Sequence, residues 1–235
     1  MLLGLATSLL ALTLGAQPAK AQLAVDNLVY DFVDPRKSRQ DIVLANLGKD
    51  NAYVQIKVTE VVLGPDGRTT ARTGTPDQLG LLVTPAKLIL GPGQRRPVRA
   101  VLLRHPPAER IYHISVEPVS GDIINEQSAA PGGKVLSLKV QVGYTVVVFV
   151  RPPKIDENLQ GSRSGRILHV ENRGNVSVML KDGRQCPSAA SGPSKCTALP
   201  AERVWPGKSW DVSLPLDGPA TYTVDGPMRK EQRTF

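Results

Sequence analysis

The sequence has little of what catalysis, metal binding and nucleic-acid stacking require. Its 235 residues include two cysteines and three histidines, and only 4% of them are aromatic. The histidines, His105, His113 and His169, lie in three different segments. The chain has no Gly-x-Ser-x-Gly elbow, no His-Glu-x-x-His pair and no Gly-x-x-x-x-Gly-Lys-Ser/Thr phosphate loop. These absences predict a protein that is not an enzyme and that needs no metal or other cofactor.

Long apolar runs are absent except near residue 1. Leu2–Leu14 is almost wholly apolar, and Ala19-Lys20-Ala21 follows it with the small-x-small pattern of a cleavage site. The run is too short to span a membrane and nothing similar follows it, which is typical of a signal peptide. We expect residues 1–21 to be removed on export, the mature chain to begin at Gln22, and no part of the protein to insert into a membrane.

The chain has an excess of positive charge but no cluster of it. The formal net charge is +8, and the lysines and arginines occur singly or in pairs along the sequence. Nucleic-acid binding depends on clustered cations and on stacking aromatic residues, and export argues against it as well. We therefore expect no nucleic-acid partner, and a solvated surface that attracts acidic partners.

The mature sequence is rich in valine, leucine, glycine and proline, and its apolar residues alternate with polar ones. In AYVQIKVTEVVL, for example, Val54, Ile56 and Val58 share one face of a strand. Seven or more such stretches, joined by short turns, occupy about the first 130 mature residues, as in an immunoglobulin-like sandwich. No internal repeat is evident. The predicted fold class is all-β, with two immunoglobulin-like β-sandwich domains joined at an angle by a short hinge.

The run Arg151-Pro152-Pro153-Lys154 marks the predicted domain boundary, because two prolines in series end a strand and stiffen the connection. The first domain then spans residues 22–151 and the smaller second domain spans 152–235. Cys186 and Cys196, separated by nine residues, both lie in the second domain. In an exported protein such an isolated pair is expected to form one disulfide. A two-cysteine metal site is the alternative, but no histidine or third thiol lies nearby.

One predicted strand is unusually long. Lys134–Lys154 would extend over about 50 Å, two to three times the length of an ordinary strand. Its second half, Val146–Val150, is apolar at every position, which predicts burial on both faces. Its first half alternates, so that four apolar side chains share one face: Leu136, Leu138, Val140 and Val142.

Several stretches, taken in order, resemble the periplasmic pilus-assembly chaperones, the PapD-like proteins. LLVTPAKLILGPGQRRPVR resembles their Thr-Pro…Leu-x-Pro-Gly…Val-Arg stretch, ERIYHISVEPV their F1 strand, and LSLKVQVGYTVVVFVRP their G1 strand. In the second domain ENRGNV resembles their Asn-x-Gly/Thr-Asn segment. The segment GLLVTPAKLIL and the cysteine pair of the second domain resemble most the sequences of the alternate, α-type branch of this family. The resemblance covers nearly the whole mature chain.

The resemblance implies a function as well as a fold. Such chaperones are periplasmic, and they lend the G1 strand to a pilus subunit whose own sandwich lacks its last strand. They then deliver the subunit to an outer-membrane usher. The row Leu136, Leu138, Val140 and Val142 falls on the positions that the family donates. The alternative, from another functional class, is a secreted immunoglobulin-like structural or adhesive surface protein.

The resemblance also implies an interdomain hinge built on Arg151. In the family this arginine pairs with an acidic residue that opens F1 and with another in the second domain. Glu109 matches the first position, and Asp225 is the match for the second. Buried bidentate contacts of this kind would fix the angle between the domains.

The sequence departs from the family at the anchor for the subunit's terminal carboxylate. Well-studied members use an arginine on the first strand and a lysine on G1, where this chain has Tyr30 and Val147. His113 is the alternative candidate, because its spacing places it on the same face as Glu109. Tyr30 could donate a hydrogen bond beside it.

Overall fold

The computed structural model of the protein describes residues 22–64, 67–119, 141–188 and 195–235. The predicted signal peptide lies outside these residues. The described chain is almost entirely β-structure, arranged as two β-sandwiches, and this confirms the predicted fold class. No helix in the described ranges is long and apolar enough to cross a membrane.

The first sandwich contains the strands up to Val150 and one short helix. In chain order these elements are β1 (Leu23–Val25), β2 (Val29–Phe32), β3 (Arg39–Asn46), β4 (Ala52–Leu63), β5 (Thr69–Arg72), α1 (Pro76–Leu79), β6 (Leu81–Thr84), β7 (Lys87–Leu90), β8 (Arg95–Leu102), β9 (Arg110–Pro118) and β10 (Tyr144–Val150). One sheet has the order β1-β3-β8-β6. The other has the order β2-β10-β9-β4-β5, and β7 also pairs with β4.

The core of the first sandwich lies between these two sheets. Because side chains alternate along a strand, every second residue of β4, β8, β9 and β10 points into it. The largest fully buried side chains there are Phe32, Ile42, Leu44, Leu81, Leu90, Tyr112 and Ile114. All strand pairs are antiparallel except β2 and β10, which run parallel.

The valine-rich strand β10 is buried on one face only. Val146, Val148 and Val150 are fully buried in the core, whereas Val147 and Phe149 on the outer face are partly exposed. The prediction that this stretch is buried on both faces is therefore wrong for its outer face. The outer-face residue Phe149 contacts Arg203 of the second sandwich, so this face lies at the angle between the two sandwiches. We call the outer face of β10 and the aligned residues of β2 and β9 the cleft floor.

The second sandwich follows Pro152 and Pro153. Its strands are β11 (Leu159–Ser164), β12 (Ile167–Asn172), β13 (Val178–Gln185), β14 (Thr197–Ala198), β15 (Glu202–Val204), β16 (Ser209–Ser213), β17 (Ala220–Asp225) and β18 (Lys230–Thr234). One sheet has the order β11-β12-β16. The other has the order β14-β13-β17-β18, with β15 also paired to β13. The predicted disulfide between Cys186 and Cys196 is present, with the two Cα atoms 4.1 Å apart.

Asn46 ends β3 with a buried hydrogen-bonded corner. Its side-chain Nδ2 donates to the carbonyl oxygens of Asp50 at 2.7 Å and Leu90 at 2.8 Å. Its Oδ1 accepts from the backbone N–H of Gly48 at 2.9 Å. One side chain therefore satisfies three backbone groups where the chain turns from one sheet to the other.

Asn172 makes the same corner at the end of β12. Its Nδ2 donates to the carbonyl oxygens of Val176 and Val204, each at 2.8 Å, and its Oδ1 accepts from the N–H of Gly174 at 3.0 Å. At both corners the asparagine bonds to the residues two and four positions further along the chain. The two sandwiches thus share a structural repeat that the sequence does not make evident.

The turn that faces each corner is repeated as well. Gly93 and Gly207 both adopt positive φ, 72° and 67°, which favours glycine. The N–H of Gly93 donates to the carbonyl oxygen of Asn46 at 2.9 Å, and that of Gly207 donates to Asn172 at 2.8 Å. Each Pro-Gly turn is therefore fixed to an asparagine corner in the same way.

Candidate functional site

The first half of β10 has a strand on one side only. β10 pairs with β9 along its whole length, from Tyr144 to Val150. Its parallel pairing with β2 begins at Val147, whose N–H donates to the carbonyl oxygen of Leu28 at 2.8 Å. Within the described residues, no strand pairs with the other edge of Tyr144–Val146. An edge of this kind presents backbone N–H and C=O groups to which another chain can pair.

The predicted donor row is only partly described. Leu136, Leu138 and Val140 lie outside the described residues, so their role stays a prediction. Val142 is described and is 44% exposed. By spacing along the chain it has the same parity as Val146, which is buried in the core face of β10.

The outer face of β10 and its neighbours is a cleft floor with one histidine. The strand register aligns Val29, Val147, His113 and Thr59 across β2, β10, β9 and β4. Aligned residues share a face of the sheet. Val29 is 50% exposed, and His113 is half-buried among these neighbours. His113 therefore remains a candidate anchor for the terminal carboxylate of the subunit.

Tyr30 lies on the opposite face, so the prediction that it stands beside His113 is wrong. The register aligns Tyr30 with Val148, whose side chain is buried in the core, so Tyr30 lies on the core side of the sheet. The Tyr30 hydroxyl donates to the carboxylate of Asp26 at 2.7 Å. Burial, and then this hydrogen bond, raise the pKa of the Tyr30 hydroxyl above its ordinary value.

Arg151 is buried at the junction of the two sandwiches and binds two carboxylates. Its Nε and Nη2 donate to Asp31 at 2.9 and 2.7 Å, and its Nη1 contacts the carboxylate of Glu109. Arg151 is 5% exposed, and the Glu109 side chain is 1% exposed. The ion pair predicted between Arg151 and Glu109 is therefore present, and Asp31 is a partner that the sequence did not identify.

Glu109 also contacts the second sandwich directly. Its carboxylate accepts from the backbone N–H of Ser177 at 3.1 Å and from the Ser177 hydroxyl at 2.5 Å. Its own N–H donates to the carbonyl oxygen of Asn175 at 2.8 Å. One buried carboxylate therefore joins β9 and Arg151 of the first sandwich to the loop that precedes β13.

The linker after Arg151 is fixed by the same loop. Asn175 accepts from the N–H of Asp156 at 2.8 Å and donates through Nδ2 to the carbonyl oxygen of Lys154 at 2.8 Å. A Cβ atom on Gly174 would lie 2.2 Å from the carbonyl oxygen of Asp156, so only glycine allows this approach. The connection between the sandwiches is therefore hydrogen-bonded along its length.

The predicted pair between Arg151 and Asp225 is wrong. Asp225 forms its ion pair with Lys181, the neighbour across β13 and β17, and this lysine lowers the pKa of the Asp225 carboxyl. The register instead places Arg203 and Asp225 on either side of Met179, on the face of the second sandwich. Arg203 is the residue of that face that meets the first sandwich.

Two arginines stack on one phenylalanine of the cleft floor. The Cζ atom of Arg151 lies 4.6 Å from the ring centroid of Phe149, and that of Arg203 lies 5.2 Å from it. The Arg203 Nη1 also donates to the Ser177 hydroxyl at 3.0 Å. Such stacking contributes about 0.5–2 kcal/mol per pair, depending on burial.

The described residues contain no group of three or more His, Cys, Asp or Glu side chains that could hold a metal ion. The described residues of this region include a strand edge at Tyr144–Val146 that pairs with no described strand, the apolar outer face of β10, and the charged junction around Arg151.

Comparison with known proteins gives relatives over most of the chain. No family model matches it. A fimbrial subunit of the CS1 system of Escherichia coli is 26% identical over 194 residues, which are 80% of this chain and 79% of that protein. A fimbrial subunit of the CFA/I system of Escherichia coli is 25% identical over 189 residues, 79% of each chain.

Solved structures of fimbrial chaperones superimpose on nearly the whole chain. The class 5 fimbriae chaperone CfaA gives a TM-score of 0.70 at 19% identity, covering 91% of this chain and 97% of that one. The E. coli chaperone DraB gives a TM-score of 0.55 at 20% identity, covering 91% and 96%. The chain therefore has the two-sandwich fold of fimbrial chaperones, and the resemblance seen in the sequence is confirmed at the level of fold.

Proposed function

We propose that the protein is a periplasmic chaperone of chaperone–usher pilus assembly. It uses donor-strand complementation to bind and stabilise a pilus subunit, which it delivers to an outer-membrane usher. Neither a catalytic step nor a cofactor is part of this function. The single observation that carries the proposal is that, within the described residues, one edge of β10 at Tyr144–Val146 pairs with no strand.

Strand addition would supply the binding energy. A subunit strand placed along the free edge of β10 gains backbone hydrogen bonds, and alternate side chains of the row fill the groove of the subunit. Each buried valine or leucine of that row contributes about 1.5–3 kcal/mol before ordering costs. Val142, which is 44% exposed in the free protein, is available for such burial.

The fixed junction supports the same function. A donated strand must be held in one direction while its outer half pairs with another protein. Arg151, Glu109 and Asp31 fasten the base of β10 to β9, β2 and the second sandwich. The buried half of β10 therefore serves as a rigid base for the half that is offered to the subunit.

One comparison favours the alternative that the protein is itself a component of a fibre, because both curated relatives are named as fimbrial subunits. Solved structures that cover nearly all of the chain are of fimbrial chaperones, and two of them are complexes with a tip adhesin. A chaperone is expected to be absent from washed fibres and to co-purify with subunits from the periplasm. Recovery of this protein in fibres, in amounts equal to a subunit, would support the alternative.

Capture of a pilus subunit co-expressed with the protein tests the binding mode. Val142→Glu is expected to reduce subunit recovery about tenfold or more, because a charge buried in an apolar groove lacks a partner. Thr145→Glu places the same charge on the opposite parity of β10, at an exposed position, and serves as the matched control. Both variants should melt like the parent. Equal capture by parent and Val142→Glu would exclude this strand as the binding element.

A further inference from the structure

A tyrosine joins the edges of the two sheets of the first sandwich. β1 is the last strand of one sheet, and within the described residues only β3 pairs with it. In the other sheet β10 is the last strand at Tyr144–Val146, because its pairing with β2 begins at Val147. The Tyr144 hydroxyl donates to the carbonyl oxygen of Leu23 on β1 at 2.8 Å. The unpaired stretch of β10 is therefore fastened to the opposite sheet by a side chain.

The Leu23 carbonyl needs a partner of this kind. The N–H of Leu47, just after β3, donates to the carbonyl oxygen of Gln22 at 2.7 Å, so Gln22 turns its backbone groups towards β3. Backbone groups alternate between the two edges of a strand, and those of Leu23 therefore point away from β3. Leu23 is 2% exposed, and a buried carbonyl without a hydrogen bond is costly. The Tyr144 hydroxyl satisfies it.

Tyr144 also marks the start of the strand that the sandwich holds. It is the first residue of β10, and its half-buried ring packs against the core. The next residue, Thr145, turns its N–H and C=O towards the unpaired edge, as Val147 does where β2 begins. An added strand would pair with these groups. The predicted donor row, within residues 136–142, comes shortly before Tyr144 along the chain.

We propose that Tyr144 is a positioning residue for strand donation. By bonding the Leu23 carbonyl, its hydroxyl holds the start of β10 against β1 and keeps the unpaired edge at Thr145 in strand geometry before a subunit binds. A strand that is already ordered loses less conformational freedom on binding, which increases affinity. This inference rests on the proposed function and deepens it, because it names a residue that acts through β10 and not by contact with the subunit.

Tyr144→Phe tests the role, since it removes the hydroxyl and keeps the ring. Tyr112→Phe is the matched control, because the Tyr112 hydroxyl also donates to a backbone carbonyl of the first sandwich, that of Leu79. One hydrogen bond corresponds to about a two- to tenfold change in an equilibrium constant. Both variants are therefore expected to fold, and a loss of general stability would be similar in the two.

Amide hydrogen exchange of the free protein measures positioning without a subunit. The N–H of Val146 points towards β9 in the stretch where β10 has no second neighbour, whereas Val148 lies between β9 and β2. We expect the exchange rate of Val146 relative to that of Val148 to rise about two- to tenfold in Tyr144→Phe. The ratio should be unchanged in Tyr112→Phe.

Capture of a co-expressed pilus subunit then measures the consequence. Per amount of folded protein, Tyr144→Phe should recover about two- to tenfold less subunit than the parent, and Tyr112→Phe as much as the parent. An unchanged exchange ratio, or undiminished capture by Tyr144→Phe, would overturn the positioning role and leave strand donation intact. Equal losses in both variants would overturn it too, because general stability would then be the cause. No capture by the parent would reject the proposed function, and the role of Tyr144 with it.

Discussion

Asp31 and Arg151 form a bidentate ion pair, with Nε and Nη2 of the arginine at 2.9 and 2.7 Å from the carboxylate oxygens. Asp31 lies on β2 and Arg151 follows directly after β10, so the pair fastens two parallel strands at the end that meets the second sandwich. Glu109 binds the remaining Nη1 of the same guanidinium. A single arginine therefore holds three elements of the junction.

Arg151→Ala is expected to lower the free energy of unfolding by about 3–5 kcal/mol, because it leaves the buried Glu109 carboxylate without its cation. Chemical denaturation measures this change. Arg36→Ala is the control, since Arg36 pairs with Asp34 on the surface with an arginine side chain that is 88% exposed. It should leave the midpoint unchanged. If Arg151→Ala is as stable as the parent, the junction does not depend on this ion pair.

The fold could be predicted from the sequence because its signals are local. Alternation in β4, the prolines after Arg151 and the isolated cysteine pair each indicate a feature without knowledge of the partner strands. The partner of a strand and its register are long-range properties. The pairing of β2 with β10 places Tyr30 on the core side and Asp31 on the opposite face, beside Phe149. The aspartate within the apolar stretch LVYDFV was the one available signal for this arrangement.

The second-domain side of the junction was harder to predict for the same reason. Asp225 and Arg203, on β17 and β15, share a sheet face on either side of Met179. The sequence gives no indication that Lys181 already neutralises Asp225. Only the structure shows that Arg203 of this face contacts Phe149 of the first sandwich.

Acid should destabilise the protein over a defined pH range. Asp41 on β3 accepts from Arg39 at 2.7 Å and from Arg99 on β8 at 2.9 Å, and these contacts lower the pKa of the Asp41 carboxyl to about 2. Because the folded pKa lies below the unfolded value of about 3.9, the stability from this group is present above that value. It is lost as the pH falls towards the folded pKa.

The thermal midpoint is thus expected to be constant down to about pH 5 and to fall between about pH 4 and pH 2. Asp41→Asn should flatten part of this slope, and about 1 M salt should reduce it, because the group is at the surface. Melting curves at several pH values measure both effects. A slope that is identical in Asp41→Asn and the parent would show that other carboxyl groups cause it.

The repeated asparagine corners predict matched losses of stability in the two sandwiches. Asn46→Ala and Asn172→Ala each remove three hydrogen bonds from buried positions, at a cost of about 2–4 kcal/mol. Both tryptophans lie in the second sandwich, so their emission reports on that sandwich alone. Asn172→Ala should lower the melting midpoint seen by tryptophan emission, whereas Asn46→Ala should lower the midpoint seen by circular dichroism more than the one seen by emission. Equal shifts by both probes would mean that the sandwiches unfold as one unit.

The last prediction separates the two faces of the predicted donor strand. If Leu138, Val140 and Val142 form the donated row, Val140→Glu should leave the melting curve of the free protein unchanged but abolish capture of a pilus subunit. The reason is parity: residues of that row contact the subunit, so a charge there is buried without a partner only in the complex, at a cost of several kcal/mol. Lys139 has the opposite parity, and Lys139→Glu should reduce capture far less.

Co-purification of the subunit with each variant measures capture, and a melting curve of each free variant measures its fold. Unfolding of the free protein by Val140→Glu would assign Val140 to the core of this protein, and the proposed strand donation would lose its main support. Equal capture by Val140→Glu and Lys139→Glu would contradict the prediction that only one face of this strand contacts the subunit. In that case the apolar cleft floor around Val29 and Val147, which does not depend on the parity of the row, would be the surface to test next for contact with the subunit.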